Sequence, residues 1–248
     1  MAFKKRVVGV IGLGHVGAHV AFNLGVLGIA DEVKLCDVKS EKLVSERQDM
    51  MDAVMFMPHR VNYTIASYEE LADCDVIVNA IGDITLCASG NRDDEMHFTV
   101  PQVADYIPKV MAGGFQGIII NITNPCDVIT DLIAKKSGLP KGHVFGTGTG
   151  LDSSRLVSAI SQQTGLDHHS FSAYMMGEHG NSQIVPWSLI KFGGKSLAEL
   201  EQNPAYVFDK ARVQDETIHA GWVTYSGKHC TEYGLSLIHI SEPTRQAE

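Results

Sequence analysis

The stretch VVGVIGLGHVG, residues 7–17, decides the fold of this protein. Its first part, Val7–Ile11, is a nearly continuous β-branched run, which is typical of a strand buried on both faces. Residues 12–17 follow the pattern G-x-G-x-x-G, and an apolar pattern of helical spacing starts at Val16. A strand, a glycine-rich turn and a helix in this order predict the opening of a parallel α/β sheet.

Strand-like and helix-like segments continue to alternate as far as residue 146. Further strands are predicted at residues 33–36, 61–66, 76–78, 118–120 and 144–145. Helix-like segments at residues 41–55 and 100–111 lie between some of them. This rhythm predicts the α/β class, with a Rossmann-type doubly wound parallel sheet and helices on both faces. A glycine-rich break at residues 146–150 marks the expected end of this domain, 1–146, and the start of a mixed α+β domain, 147–234.

Composition and charge narrow the classes of function. The chain has 248 residues, 44% of them apolar, and a formal net charge of -9. That charge argues against nucleic acid or an anionic membrane as a partner. The five cysteines are odd in number and form no C-x-x-C pair, which indicates reduced thiols and a cytoplasmic protein. No segment approaches the roughly 20 apolar residues of a membrane span, and no metal-ligand cluster is evident.

Each part of the glycine pattern has a physical task in binding a dinucleotide. Gly12 permits a tight turn, Gly14 lets the backbone approach a pyrophosphate, and Gly17 lets helix and strand pack closely. The helix N-terminus adds unpaired N–H groups and the positive end of its dipole. Asp37, at the end of the second strand, is placed to bind the ribose hydroxyls and disfavours a 2′-phosphate. NAD is therefore predicted over NADP; the alternative is a glycine-rich turn beside a solvated aspartate.

Two further strand ends contribute polar residues to the same edge of the predicted sheet. Residues 79–82 end the fourth strand and residues 121–125 end the fifth. Ligands of such sheets bind outside the carboxyl ends of the strands. Pro125 keeps Asn124 extended, so its amide can project toward the crevice, although an ordinary Asx turn is an alternative. The predicted cofactor site is completed by His15, Val16, Gly82, Ile122 and Asn124.

A histidine in the segment GEHGNS, residues 177–182, is the candidate acid/base. His179 can exchange a proton near neutral pH, and the glycines let a substrate approach. Asp152 and Arg155, three residues apart in a helical pattern, share a helix face. Arg155 can hold a carboxylate bidentately, while Asp152 can hydrogen-bond the far ring nitrogen of His179. The alternatives are a turn histidine and a surface i,i+3 ion pair.

Arg92 lies in residues 82–95, a segment of small residues with little periodicity. This composition suits a lid with small-residue hinges. An arginine on such a lid can polarise a carbonyl as a hydride arrives, whereas a solvated loop arginine is the alternative.

Together these motifs resemble the L-lactate/malate dehydrogenase family, above all its L-2-hydroxyisocaproate and L-lactate dehydrogenase branch. The resemblance covers residues 4–234 and is strongest at residues 12–17, 124–127, 146–155 and 177–182. It implies the following site: His179 as proton donor and acceptor, Asp152 as its partner, Arg155 as the carboxylate clamp, Arg92 on the lid, Asn124 touching substrate and nicotinamide, and Thr231 in the substrate pocket.

The resemblance implies an NAD-dependent oxidoreductase that interconverts an L-2-hydroxy acid and its 2-oxo acid. Residues 84–89 lack the extra lid arginine of malate enzymes, which favours an apolar substrate side chain, from lactate to 2-hydroxyisocaproate. Malate dehydrogenase is the alternative substrate class. Relatives are commonly homo-oligomers, dimers or tetramers, which is an expectation by analogy.

The tail, residues 235–248, resembles a translated transposon-end sequencing adapter, whereas family members continue for tens of residues. We therefore expect a non-native tail on a chain whose substrate domain, 147–234, is truncated, and a dinucleotide-binding fragment without activity is a further alternative. A short-chain dehydrogenase is disfavoured: Tyr206 and Lys210 match Y-x-x-x-K, but Val8 stands where its glycine pattern needs the first Gly. Residues 206–210 are predicted as one helical turn.

Overall fold

Six parallel strands form the sheet of the N-terminal part of the chain, in the order β3-β2-β1-β4-β5-β6. The computed structural model describes residues 4–83, 85–86, 95–180 and 182–238. The strands are β1 (Val7–Ile11), β2 (Glu32–Cys36), β3 (Asn62–Ile65), β4 (Val76–Asn79), β5 (Ile118–Asn121) and β6 (Val144–Gly146). The helices between them are α1 (His15–Val26), α2 (Ser40–Ala53), α3 (Met96–Ala112) and α4 (Cys126–Ser137).

The strand order reverses between β1 and β4, because the chain builds outward to β3 and then crosses to the other side of β1. Ile11 pairs with Asn79 across this point, and Asn79 pairs in turn with Asn121. The carboxyl ends of three neighbouring strands are thus level. A doubly wound sheet binds its ligands at such a switch point.

Helices cover both faces of the sheet, so every residue of β1 is buried, and in β4 and β5 all but the first residue are buried. Val10, Val33 and Leu35 pack with α1 and α2 in one apolar cluster. Ile77 and Ile119 pack with α3 and α4 in the other. The helices on both faces explain why the central strands are continuously apolar, since neither face of the sheet is left to solvent. The predicted Rossmann-type sheet is confirmed.

An edge strand ends the sheet at β3. Asn62 N–H and Ala66 N–H donate to β2 and the turn before it, so the backbone groups of Tyr63 point outward. The Nε of Arg47, from α2, donates to the carbonyl oxygen of Tyr63 at 3.1 Å. One outward-facing acceptor of the edge is therefore already bonded.

The second compact unit, Gly148–Gly234, has its own apolar cluster around Leu156, Ile160 and Val213. Its helices are α5 (Gly150–Thr164), α6 (Leu197–Leu200) and α7 (Lys210–Lys228). Its antiparallel sheet, in the order β7-β8-β9, consists of β7 (Phe171–Ser172), β8 (Lys191–Phe192) and β9 (Lys195–Ser196). Helices beside a small antiparallel sheet make this unit mixed α+β, as predicted.

The first compact unit comprises Met1–Thr147 with Leu235–Glu248. Within it, Oγ of Ser236 accepts a hydrogen bond from Nδ2 of Asn23 at 3.0 Å. Leu235 packs against the cluster of α1 and α2. Leu235 and Ser236, the first two residues of the segment that resembles an adapter, thus contact helix α1 or its apolar cluster.

Two local predictions were wrong. Helix α3 begins at Met96 and not at residue 100. Residues 206–210 do not form one helical turn. A 3₁₀ turn ends at Tyr206, and α7 begins at Lys210 with the side chain of Asp209 as its N-cap. Asp209 is a strong N-cap residue, and it starts a new helix instead of continuing the turn.

No helix in the described part of the chain combines the length and apolar character needed to cross a membrane.

Candidate active site

The glycine turn after β1 is tightly constrained at two positions and open at a third. Gly12 has a φ of 89°, and a Cβ there would lie 2.8 Å from the carbonyl oxygen of Ala80. A Cβ on Gly17 would lie 1.8 Å from the carbonyl oxygen of Gly12. Around Gly14, by contrast, a Cβ would meet no described atom within 4 Å. The turn therefore needs Gly12 and Gly17 for its own packing, while Gly14 leaves open space at the start of α1.

Asp37 lies at the end of β2 and holds this turn in place. Its Oδ2 accepts from the backbone N–H of Leu13 at 2.6 Å, and its Oδ1 accepts from Lys39 N–H at 2.8 Å. A carboxylate has about four acceptor positions, so both oxygens keep capacity for hydroxyl donors. This bond to the glycine turn was not foreseen from the sequence, because local patterns do not register contacts between strand ends.

A buried pair of asparagines closes the neighbouring strand ends. Nδ2 of Asn79 donates to Oδ1 of Asn121 at 2.8 Å, and both side chains are fully buried. Asn121 in turn donates to Oγ1 of Thr130 at 3.1 Å. Thr123 Oγ1 donates to the carbonyl oxygen of Ile81 at 2.7 Å. This network ties the segments after β4 and β5 together at the switch point.

The other predicted cofactor residues lie at these strand ends in different environments. Ile122 is buried and belongs to the apolar cluster of α1 and α2, and its N–H donates to Asn79. Asn124 is half-buried, and its carbonyl oxygen accepts from Thr99 Oγ1 at 2.9 Å. His15 is exposed and Val16 half-buried, both in the first turn of α1.

Gly82 packs against a buried carboxylate. A Cβ at Gly82 would lie 2.7 Å from Oε1 of Glu95, and the same oxygen accepts from Asp83 N–H at 3.0 Å. Glu95 is 5% exposed, so a side chain at position 82 would disturb a nearly enclosed hydrogen bond. Arg92, the predicted lid residue, lies outside the described residues.

These features fit a dinucleotide. The first N–H groups of α1 have no acceptor within the helix, and its first turn carries no acidic side chain. Anions bind at such a helix start because both the N–H groups and the dipole favour negative charge. The open space at Gly14 lies at this helix start, and the Asp37 carboxylate hydrogen-bonds the turn that leads into it.

In the second unit, one carboxylate holds both predicted basic residues. Nδ1 of His179 donates to Oδ2 of Asp152 at 2.5 Å, and Nη1 of Arg155 donates to Oδ1 at 3.0 Å. Asp152 is 1% exposed, whereas the His179 and Arg155 side chains are 18% and 14% exposed. The i,i+3 pair thus exists, but it is buried and not a surface ion pair.

The balance of forces on Asp152 keeps it charged. Burial alone would raise its pKa, but the hydrogen bond from His179 and the charges of His179 and Arg155 lower the pKa by more than burial raises it. The pKa of Asp152 consequently lies below its ordinary value. An ionised Asp152 fixes the His179 tautomer, because Nδ1 must carry a proton to donate, which leaves Nε2 for a substrate.

Helix α7 lies against the guanidinium of Arg155. A Cβ on Gly221 would be 3.4 Å from Nη1 of Arg155 and 3.5 Å from Nη2. Thr231 follows the end of α7 and is half-buried. A Cβ on Gly234 would lie 2.9 Å from Leu151 Cδ1, so this segment returns to the first turn of α5.

Two residues near the cluster were missed by the sequence reasoning. Thr149 and Ser153, in the first turn of α5, hydrogen-bond the backbone of Met175, which precedes the His179 segment. Their spacing of four residues places both hydroxyls on one helix face, and this was the available signal. Nothing in the sequence, however, indicates which distant backbone group they contact.

Comparison with known proteins agrees with this architecture. Residues 6–146 match the lactate/malate dehydrogenase NAD binding domain, and residues 149–218 match the family's alpha/beta C-terminal domain. L-lactate dehydrogenase of Fusobacterium nucleatum subsp. nucleatum is 36% identical over 235 residues, which cover 94% of this chain and 73% of that protein. L-lactate dehydrogenase 3 of Bacillus cereus is 35% identical over 246 residues, 97% of this chain and 78% of that protein.

A solved structure shows the same fold. The minor L-lactate dehydrogenase from Enterococcus mundtii, in its ligands-bound form, superposes with a TM-score of 0.88 at 30% identity. The match covers 94% of this chain and 75% of that one. The chain thus spans about three quarters of the length of these relatives.

The fold and the matched relatives define an NAD-dependent oxidoreductase of the 2-hydroxy acid type, with a Rossmann sheet and a second compact unit. The comparisons then place it within that class. The chain belongs to the lactate/malate dehydrogenase family.

Proposed function

We propose that this protein interconverts L-lactate, or a larger apolar L-2-hydroxy acid, with its 2-oxo acid, using NAD. The observation that carries the proposal is the His179–Asp152–Arg155 cluster, in which one buried carboxylate holds an imidazole and a guanidinium. A proton-exchanging group beside a carboxylate binder is what a 2-hydroxy acid requires. The relatives named L-lactate dehydrogenase support this substrate class.

In this proposal the residues have separate tasks. Arg155 binds the substrate carboxylate, and Nε2 of His179 takes the hydroxyl proton during oxidation or returns it during reduction. Asp152 stabilises the protonated imidazole. Arg92 on the lid polarises the carbonyl, while Asn124 and Thr231 line the substrate site; these roles follow the family resemblance.

The N-terminal domain, 1–146, is proposed to bind NAD, which supplies the hydride acceptor when bound. Residues proposed to hold it are Gly12, Gly14, His15, Val16, Gly17, Asp37, Gly82, Ile122 and Asn124. The phosphates are held by the N–H groups of α1, and Asp37 binds the ribose hydroxyls.

A histidine substitution tests the acid/base assignment. His179→Asn is expected to lower kcat by roughly 10²–10⁴-fold, the range typical of a lost general acid/base, with NADH affinity retained. His169→Asn is a matched control, since His169 also faces a carboxylate, Asp167 at 3.2 Å, but its side chain is 96% exposed. Near-normal turnover of His179→Asn would reject the assignment.

A substrate panel tests the proposed specificity. Rates of NADH oxidation would be compared for pyruvate, 2-oxoisocaproate and oxaloacetate. We expect the first two to be preferred, because residues 84–89 contain no arginine for a second carboxylate. Fast, preferred reduction of oxaloacetate would instead indicate a malate dehydrogenase. NADH binding without reduction of any 2-oxo acid would indicate a dinucleotide-binding protein.

Location and assembly complete the proposal. We propose a cytoplasmic protein, supported by the free thiols of Cys36, Cys74, Cys126 and Cys230. We also propose a homo-oligomer, a dimer or tetramer, by analogy with the family. Light scattering after size exclusion would give the mass, and a single chain of 27.0 kDa would contradict this.

A further inference from the structure

The main chain leading to His179 is held by two hydroxyl groups at the start of α5. Oγ1 of Thr149 donates to the carbonyl oxygen of Met175 at 2.9 Å. Oγ of Ser153 accepts from the N–H of Met175 at 2.9 Å. Both backbone polar groups of one residue are therefore bonded to side chains of a single helix turn.

The hydroxyl orientation of Ser153 is fixed by a third bond. Its single proton is donated to the carbonyl oxygen of Thr149 at 2.8 Å. The lone pairs of Ser153 are thus aimed away from that carbonyl and toward Met175. Since a hydroxyl has one proton and two lone pairs, this geometry commits Ser153 to accept from Met175.

Met175 lies at the base of the loop that carries His179. The next residue, Met176, exchanges both backbone hydrogen bonds with Ile184 at 2.9 Å, so the main chain is paired just before the segment that carries His179. Met175 itself is 2% exposed and packs in the apolar cluster of the second unit. The main chain that leads to His179 is therefore firmly held at Met175 and Met176, four and three residues before the histidine.

These contacts converge on one helix turn. Asp152 holds the His179 imidazole, and the adjacent Ser153 holds the chain four residues before His179. Arg155, on the same helix, pairs with the same Asp152. The spacing between imidazole and guanidinium is consequently set by two bonds from neighbouring residues, one to the ring and one to the main chain.

We propose that Ser153 is a positioning residue for His179, which keeps the imidazole at the distance from Arg155 that the reaction needs. The proposal rests on the proposed function, because it takes His179 as the acid/base. It differs from a purely structural role in predicting loss of turnover without loss of substrate binding. Arg155 lies on α5 itself, so its position does not depend on the bond to Met175.

Kinetics of three variants separate the two roles. Ser153→Ala is expected to lower kcat about tenfold, because small errors in placing a catalytic group are costly, with KM for the 2-oxo acid within about twofold. Ser153→Thr keeps the hydroxyl and is expected to restore kcat. Ser154→Ala is the matched control, since Ser154 is the exposed neighbour on the same helix, and its kcat should equal that of the unchanged protein.

Proton NMR gives a readout that does not require turnover. The Nδ1 proton of His179, bonded to Asp152, should give a downfield resonance that disappears in His179→Asn. We expect this resonance to move upfield or broaden in Ser153→Ala and to stay in place in Ser153→Thr and Ser154→Ala. An unchanged resonance and an unchanged kcat in Ser153→Ala would overturn the proposal.

Two outcomes must be kept distinct. If the unchanged protein reduces no 2-oxo acid, the proposed function fails, but the resonance still decides whether Ser153 positions His179. If Ser153→Ala does not fold, Thr149→Val, which removes the other bond to Met175, decides instead. It is expected to lower kcat and move the resonance in the same direction, and no change in either would overturn the proposal.

Discussion

Alanine substitutions at Gly17 and Gly14 should have different effects: Gly17→Ala should lower the stability of the fold, and Gly14→Ala should lower the affinity for the cofactor. The Gly17 Cβ would lie 1.8 Å from the carbonyl oxygen of Gly12, whereas ordinary contact begins near 3.4 Å. Turn and helix must therefore separate by 3.4 − 1.8 = 1.6 Å. Because the obstacle is backbone and not a flexible side chain, we expect the upper end of the overpacking range, about 3 kcal/mol.

Gly14→Ala should leave the fold intact. The residue has φ −68° and ψ −169°, which alanine adopts readily, and no described atom lies within 4 Å of the added Cβ. The methyl group would instead occupy the space at the start of α1 that a pyrophosphate is proposed to approach. We expect the Kd for NADH to rise at least tenfold, which corresponds to about 1.4 kcal/mol.

Urea unfolding and NADH fluorescence titration measure both effects. Gly17→Ala should lower the free energy of unfolding, and its melting temperature should fall by roughly 6–12 °C for a chain of this size. Gly14→Ala should melt within about 1 °C of the unchanged protein while binding NADH weakly. Equal NADH affinity in Gly14→Ala and the unchanged protein would refute the placement of the pyrophosphate at this turn.

Three other outcomes follow from buried polar groups. Tyr106→Phe should raise the free energy of unfolding, measured in urea, by about 1 kcal/mol, since the buried Tyr106 hydroxyl has no hydrogen-bond partner among the described residues; a loss of stability would contradict this. Burial raises the pKa of the Cys36 and Cys74 thiols to about 12, so iodoacetamide at pH 8 should label neither before denaturation, as mass spectrometry can check. The pKa of Asp152 is lowered in the folded state, so the stability that the ionised carboxylate contributes is complete above about pH 5 and is lost as the pH falls through the lowered pKa. The difference in unfolding free energy between Asp152→Asn and the unchanged protein should therefore shrink at low pH, and a difference that stays constant would contradict this.

The sheet was predictable from sequence because its determinants are local. The apolar run of Val7–Ile11 and the glycine pattern after it report burial on both faces and a tight turn within eleven consecutive residues. Periodicity could not place the start of α3, however. Pro101 is an excellent first-turn residue, yet it lies one turn inside a helix that begins at Met96.

Parts of the site depend on contacts between distant residues, and these were harder to foresee. Asp152 and His179 are 27 positions apart, and their pairing was inferred from residue chemistry and from family resemblance. The bond from Leu13 to Asp37 has no such chemical signature, because any backbone N–H can donate to any carboxylate. For the same reason Met175 could not be identified as the partner of Ser153.

The bonded carbonyl on strand β3 has a consequence for solubility. An uncovered edge strand can pair with strands of other molecules, and such pairing is a common start of aggregation. Here the edge strand is only four residues long, and the Arg47 guanidinium already covers the outward carbonyl of Tyr63. A positive charge at that position also repels an identical edge strand on a second copy, so this flank of the protein resists stacking into fibres.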